Sequence, residues 1–156
     1  MMKKALLLVL VLVLNLSALD LDTLPRYSTT YDKNSDPHKD LSQAVQKAKK
    51  HNKKILLVVG GDWCRWCGTL DNFLDDHSEV ASSFYGSFEV VKVYYGKGVN
   101  KATVAFLKQL PPLKGTPHFY ILDAKMKLLK SIDTSYLERG YGYNRKKVIH
   151  FIDQNK

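Results

Sequence analysis

The sequence predicts an α/β fold, a mixed four- or five-stranded sheet with helices on both faces. Three observations carry this. "KILLVVGG", Lys54 to Gly61, holds a continuous apolar run, Ile55 to Val59, closed by glycines, as in a strand buried on both faces. The segments on either side repeat apolar residues at three and four, the period of a helix. "FEVVKVYY", Phe88 to Tyr95, and "HFYIL", His118 to Leu122, are β-rich and separated by a helical pattern, which implies parallel pairing. A fourth run follows after a tight turn, which implies an antiparallel hairpin.

Taken in order, the chain opens on "MMKKALLLVLVLVLNLSALD". Lys3 and Lys4, an apolar run from Ala5 to Leu14 and small residues near Ala18 describe a secretory signal peptide over 1–18. A membrane anchor would want about 20 apolar residues, more than this run offers. Cleavage after Ala18 would leave a polar arm, 19–36, in which Tyr27, Thr29 and Tyr31 alternate as in a short edge strand or a loose arm. The folded domain is predicted over 37–156, a suitable length for one core.

Asp36 and Pro37 read as N-cap and first turn of a helix whose apolar side is Leu41, Ala44, Val45 and Ala48. After the first strand, Cys67, Leu70, Phe73 and Leu74 mark one face of a second helix. Ser78 opens a short third helix with Val80, Ala81 and Phe84. Asn100 starts another, ending before Pro111 and Pro112. "MKLLKSI", Met126 to Ile132, is the fourth strand. Tyr136 to Tyr143 reads as loop, and Val148, Phe151 and Ile152 are the apolar side of the last helix.

The net charge is +9. Its densest basic cluster, "KAKKHNKK" from Lys47 to Lys54, falls at a helix C-terminus, where lysines complement the dipole. That placement argues against a nucleic-acid surface, and an exported protein meets little nucleic acid.

The chain has two cysteines, Cys64 and Cys67, in "GGDWCRWCGTLDNF". A zinc site needs four ligands; there is no second pair, and the five histidines are scattered, so no metal is expected. A structural disulfide over so small a loop removes little unfolded-state entropy. A redox dithiol requires this spacing, because the second sulfur must reach a mixed disulfide formed by the first. The pair falls where a strand passes into a helix. Unpaired backbone N–H groups there, and Arg65 beside it, favour a thiolate at Cys64, which is expected to be the exposed, attacking sulfur. Cys67 shares the apolar face with Leu70 and Leu74 and is expected to be buried and resolving.

"WCRWC" between a buried strand and a helix resembles thioredoxin, as does "GTPHFYIL", Gly115 to Leu122. The lysine-rich helix before "KILLVVGGDWCRWC" resembles the exported thioredoxin-like group that includes the C-terminal domain of DsbD, and the match covers roughly residues 40–155. It implies a cis-proline at Pro117, preceded by Thr116, lying against the cysteine pair. It implies that Trp63 walls the thiolate and that Trp66 shares an exposed rim, ordinary core packing being the plainer alternative, more so for Trp63. Three positions depart from the family pattern. Val58 replaces a buried aspartate that helps move the proton of the resolving thiol. Lys92, which would face that aspartate, is expected to send its head to solvent, or else to meet Asp62 or a water. Asn72 stands where the family has a kinking proline.

These readings predict an exported thiol–disulfide oxidoreductase, periplasmic or secreted, reducing disulfides of other proteins. It would act as a monomer without a cofactor and would draw electrons from a membrane carrier of the DsbD or CcdA kind. The alternative is a thioredoxin-fold binding or chaperone module without redox turnover.

Overall fold

The computed structural model describes residues 19–156, so the signal-peptide reading of 1–18 lies outside the described residues. Four strands form one sheet: β1, Lys54–Gly60; β2, Phe88–Tyr94; β3, His118–Leu122; and β4, Leu128–Asp133. Their spatial order is β2-β1-β3-β4. The apolar run of β1 is buried on both faces, as predicted, because it holds an inner position with helices above and below. β1 pairs parallel to β2, in register Val58↔Lys92, and β3 with β4 forms the antiparallel hairpin.

One pairing differs from the sequence expectation. β3 runs antiparallel to β1, although a helix separates it from β2. A parallel strand needs a crossover that carries the chain back along the sheet. The connecting helix α5, Lys101–Leu107, is seven residues, about 10 Å of rise. The chain therefore re-enters near the end where β2 left off, with His118 opposite Val59.

The two sheet faces carry separate cores. Leu56, Val58, Val90, Phe119 and Ile121 point to one side and pack under α3, Arg65–Asp76; α4, Ser78–Ser87; and α6, Arg145–Asn155. Ile55, Leu57, Val59, Val91, Val93, Tyr120 and Leu122 point to the other, under α2, Pro37–His51, and α5. Alternation along each strand produces this division. Burying one such Leu, Ile or Phe contributes about 1.5–3 kcal/mol, so the helix faces read from periodicity are the ones that pack.

Caps set the helix limits. Asp36 accepts from His38 N at 2.9 Å, and Asn52, in the left-handed region at φ 52°, ends α2. Within the basic cluster, Lys53 Nζ donates to Tyr85 O at 3.0 Å and Lys54 Nζ to Asn155 O at 2.8 Å. The remaining lysines there are exposed, at the helix end that favours positive charge.

The arm is neither strand nor loose. Leu21–Thr23 is a 3-10 turn and α1, Arg26–Thr29, is a short helix laid against β2. Tyr27, Ser28 and Tyr31 are buried. Tyr27 donates to Glu89, and Ser28 Oγ donates to Val90 O at 2.6 Å. The outer edge of β2 is thus covered by side chains rather than by a fifth strand. Near the other end, 134–143 is also more ordered than a loop. A 3-10 turn, Thr134–Leu137, leads into a two-residue ladder of β5, Glu138–Arg139, and β6, Gly142–Tyr143, which buries Leu137 and Tyr143. Among the described residues, no helix is long and apolar enough to cross a membrane.

Candidate redox-active site

β1 ends at Gly60, and a turn through Gly61 and Asp62 delivers Cys64 to the N-cap of α3. Cys64 N donates to Gly61 O at 3.0 Å, which closes that turn. Cys64 and Cys67 form a disulfide. Cys64 Sγ also accepts from Cys67 N at 3.1 Å, an amide of the first helical turn that is shared with Cys64 O at 3.1 Å. An amide in that position stabilises a sulfur bearing negative charge.

Burial of the sulfurs departs from expectation. Cys67 is buried, as read from its apolar face, but Cys64 is buried too, at 5% exposure. Both sulfurs belong to the buried cluster that packs under α3. Trp63 and Trp66 exchange the roles that plain packing suggested. Trp63 is 55% exposed, held by a hydrogen bond from Nε1 to Tyr95 O at 2.7 Å. The indole lies on the backbone of Gly61 and Gly96, where a Cβ would collide with it, and Gly96 sits at φ 150°. Trp66 is half-buried and packs edge-on against Tyr143, ring centroids 5.8 Å apart. The ladder β5–β6 brings Tyr143 there, a contact that local spacing does not encode.

Arg65 is exposed, with its guanidinium 6.0 Å from the ring centre of Tyr141, a cation–π distance. The Thr116–Pro117 peptide bond is cis. Continuing the antiparallel register past Val59↔His118 sets Pro117 level with Gly60. Pro117 is buried, Thr116 is half-buried, and Pro117 O accepts from Thr134 Oγ1 at 2.6 Å. Gly60 in turn touches the disulfide: a Cβ there would run into Cys67 Sγ.

Lys92 does not reach solvent. Its Nζ donates to both carboxylate oxygens of Asp71 at 2.8 Å and to Thr29 O at 3.1 Å, and its side chain is 5% exposed. Burial raises the Asp71 carboxyl above its usual range, while Lys92 pulls it back down. Asp71 and Tyr31 are site residues the sequence reading missed. Asp71 had a signal, since it is four residues after Cys67 and one turn below it. Tyr31 had none, because an arm far away in sequence brings it in. His118, set aside in the sequence reading, is fully buried with its ring satisfied by Ser131 Oγ at 2.9 Å and Lys114 N at 3.4 Å.

Among the described residues no group of three or more His, Cys, Asp or Glu side chains could hold a metal. On the far side of Trp63, Tyr95 is 43% exposed and an open apolar groove continues along α5 through Val104, Leu107, Pro111 and Leu113.

No curated protein matches the chain significantly in sequence. Solved structures do match it in fold. A disulphide isomerase from Xylella fastidiosa Temecula1 superposes with a TM-score of 0.64 at 23% identity, over 80% of this chain and 94% of that one. The oxidised DsbD C-terminal domain of Neisseria meningitidis gives 0.59 at 17% identity, over 81% and 99%. Its reduced form gives 0.57 at 18% identity, over 78% and 98%. The family model described as thioredoxin-like matches residues 36–124, which span β1, the cysteine helix, β2 and β3. With that match over more than half its length, the chain belongs to the thioredoxin-like family.

Proposed function

We propose that this protein is an exported thiol–disulfide oxidoreductase that reduces disulfides in other proteins. One observation carries the reading. Cys64 stands at the N-cap of α3 with the Cys67 amide on its sulfur, and Cys67 lies one turn in, bonded to it. In the reduced protein the Cys64 thiolate attacks a substrate disulfide. A Cys64–substrate bond forms, and one substrate sulfur leaves with the electron pair as a thiolate, which takes a proton from solvent. Cys67 then attacks Cys64 Sγ, closing the internal disulfide and releasing the second substrate thiol. The exposed face of Trp63, beside Tyr95, offers apolar surface to the substrate chain.

Regeneration needs two electrons, and by family likeness we assign their supply to a membrane carrier of the DsbD or CcdA kind. Export rests on Lys3, Lys4 and the short apolar run that follows, with a mature chain beginning near Leu19. The protein is proposed to act as a monomer. N-terminal sequencing of the secreted form checks export; full-length protein retained in the cytosol would refute it.

A binding or chaperone module would use the same exposed aromatics but would need neither sulfur. Insulin reduction with dithiothreitol separates the two. Turnover that depends on both cysteines supports the enzyme, and turnover equal to buffer alone refutes it.

A further inference from the structure

The cysteine helix has no carboxylate facing it from β1, where Val58 is apolar. The arm fills that side. Tyr31 is 6% exposed, and its hydroxyl makes no hydrogen bond to any described residue. Gly60 locates it. The position a Cβ would take on Gly60 is touched by Cys67 Sγ and lies 3.2 Å from Tyr31 Oη, so the sulfur and the phenol border one small gap. Lys92 Nζ stands 4.9 Å from the Tyr31 ring centre and is itself held by Asp71 and Thr29 O.

We propose that Tyr31 is a positioning residue for Cys67, its phenol donating a hydrogen bond to the Cys67 sulfur once the disulfide opens. This rests on the redox reading above. Burial, and then Asp71, hold the Tyr31 phenol well above its ordinary pKa, so it keeps its proton and remains a donor. The groups facing this corner are Asp71 of α3, Lys92 of β2, Tyr143 of β6, Tyr85 of α4 and Asp62 of the β1–α3 turn. Of these, the acids repel a thiolate, and Lys92 is engaged with Asp71. A neutral donor placed at the sulfur is what the resolving step lacks. Hydrogen bonds to charged acceptors are about twice as strong as neutral ones. In that step Cys67 loses its proton and its sulfur attacks Cys64 Sγ. The Cys64–Cys67 bond forms and the Cys64–substrate bond breaks. The electron pair leaves on the substrate sulfur, which takes up the proton. Tyr31 keeps its own proton throughout and stabilises the Cys67 thiolate before attack.

The test uses the reduced full chain carrying Cys64→Ser, with iodoacetamide at neutral pH. Adding Tyr31→Phe, which keeps the ring under Lys92, should slow Cys67 alkylation about tenfold, and in the wild-type background should slow release of a trapped substrate to a similar degree. Alkylation within about twofold of the parent would overturn the proposal, since losing such a bond should cost several-fold even after the greater nucleophilicity of a more basic thiolate offsets part of the loss. A second measurement needs no variant. In the reduced wild-type protein the Tyr31 ring resonances should move as Cys67 titrates, and resonances that stay flat overturn the proposal. If the wild type reduces no insulin while Tyr31→Phe still slows alkylation, the hydrogen bond stands and the redox reading fails. If insulin is reduced and alkylation is unchanged, the proposal alone fails.

Discussion

Lys92 Nζ lies 2.8 Å from each carboxylate oxygen of Asp71, joining β2 to the cysteine helix. The ammonium is almost wholly buried, whereas the Asp71 side chain keeps 38% exposure. The two partners therefore pay unequal desolvation costs, and their removal should have unequal effects. Asp71→Ala strands a buried charge and should destabilise by about 1–3 kcal/mol, discounted for the solvent at Asp71. Lys92→Met removes the buried charge and leaves the half-exposed carboxylate to water, so its cost should stay within about 1 kcal/mol. Urea denaturation of both variants checks the order. Equal losses would mean that the pair is solvated in solution.

Gly60 and Gly68 should respond oppositely to the same methyl group. At Gly60 a Cβ meets Cys67 Sγ, and Gly60→Ala should cost the oxidised protein about 1–3 kcal/mol through overpacking. At Gly68, inside α3, nothing lies within 4 Å of that position, and Gly68→Ala should stabilise by about 0.5–1 kcal/mol through helix propensity. Denaturant midpoints of the two oxidised variants decide it; a stabilised Gly60→Ala would contradict the contact.

The sulfurs should divide the chemistry. Cys67→Ser should leave Cys64 able to form a mixed disulfide that persists, because no other thiol in the chain can break it. Cys64→Ser should trap nothing. Mass spectrometry after incubation with an oxidised protein substrate reads both outcomes. Trapping by the Cys64 variant would reverse the roles.

His118 should make stability depend on pH. Burial holds its ring pKa below the usual 6.5, with Asp133 opposing. The unfolded residue takes up a proton as pH falls through 6.5 and the folded one resists. The contribution is therefore complete above 6.5 and is lost as pH falls from 6.5 towards the depressed folded value. Between pH 7.5 and 5.5 the denaturant midpoint should drop, and His118→Gln should drop less. An identical drop in both would assign the effect to other groups.

Much of the site was legible locally. The Cys64–Cys67 spacing, the apolar face of α3 and the caps at Asp36 and Asn100 depend on neighbours within about one turn, and periodicity and cap chemistry report such neighbours directly. Gly60 was likewise local, as the glycine that closes the apolar strand, whereas Thr116 and the cis bond at Pro117 were read from the family resemblance. What the chain alone determined was thus a buried strand running into a helix that carries two sulfurs one turn apart. The tertiary structure decided the rest. The antiparallel course of β3 depends on where α5 returns the chain, and the arm's choice of helix over strand depends on bonds from Tyr27 and Ser28 to β2. The burial of Lys92 depends on Asp71 and Thr29 meeting it from two other elements. Trp66 is covered and Trp63 left open because Tyr143, and Gly96 on which the Trp63 indole lies, come from distant segments. Spacing reports which face a side chain occupies; only the packing of separate elements supplies the partner that makes a buried charge tolerable there.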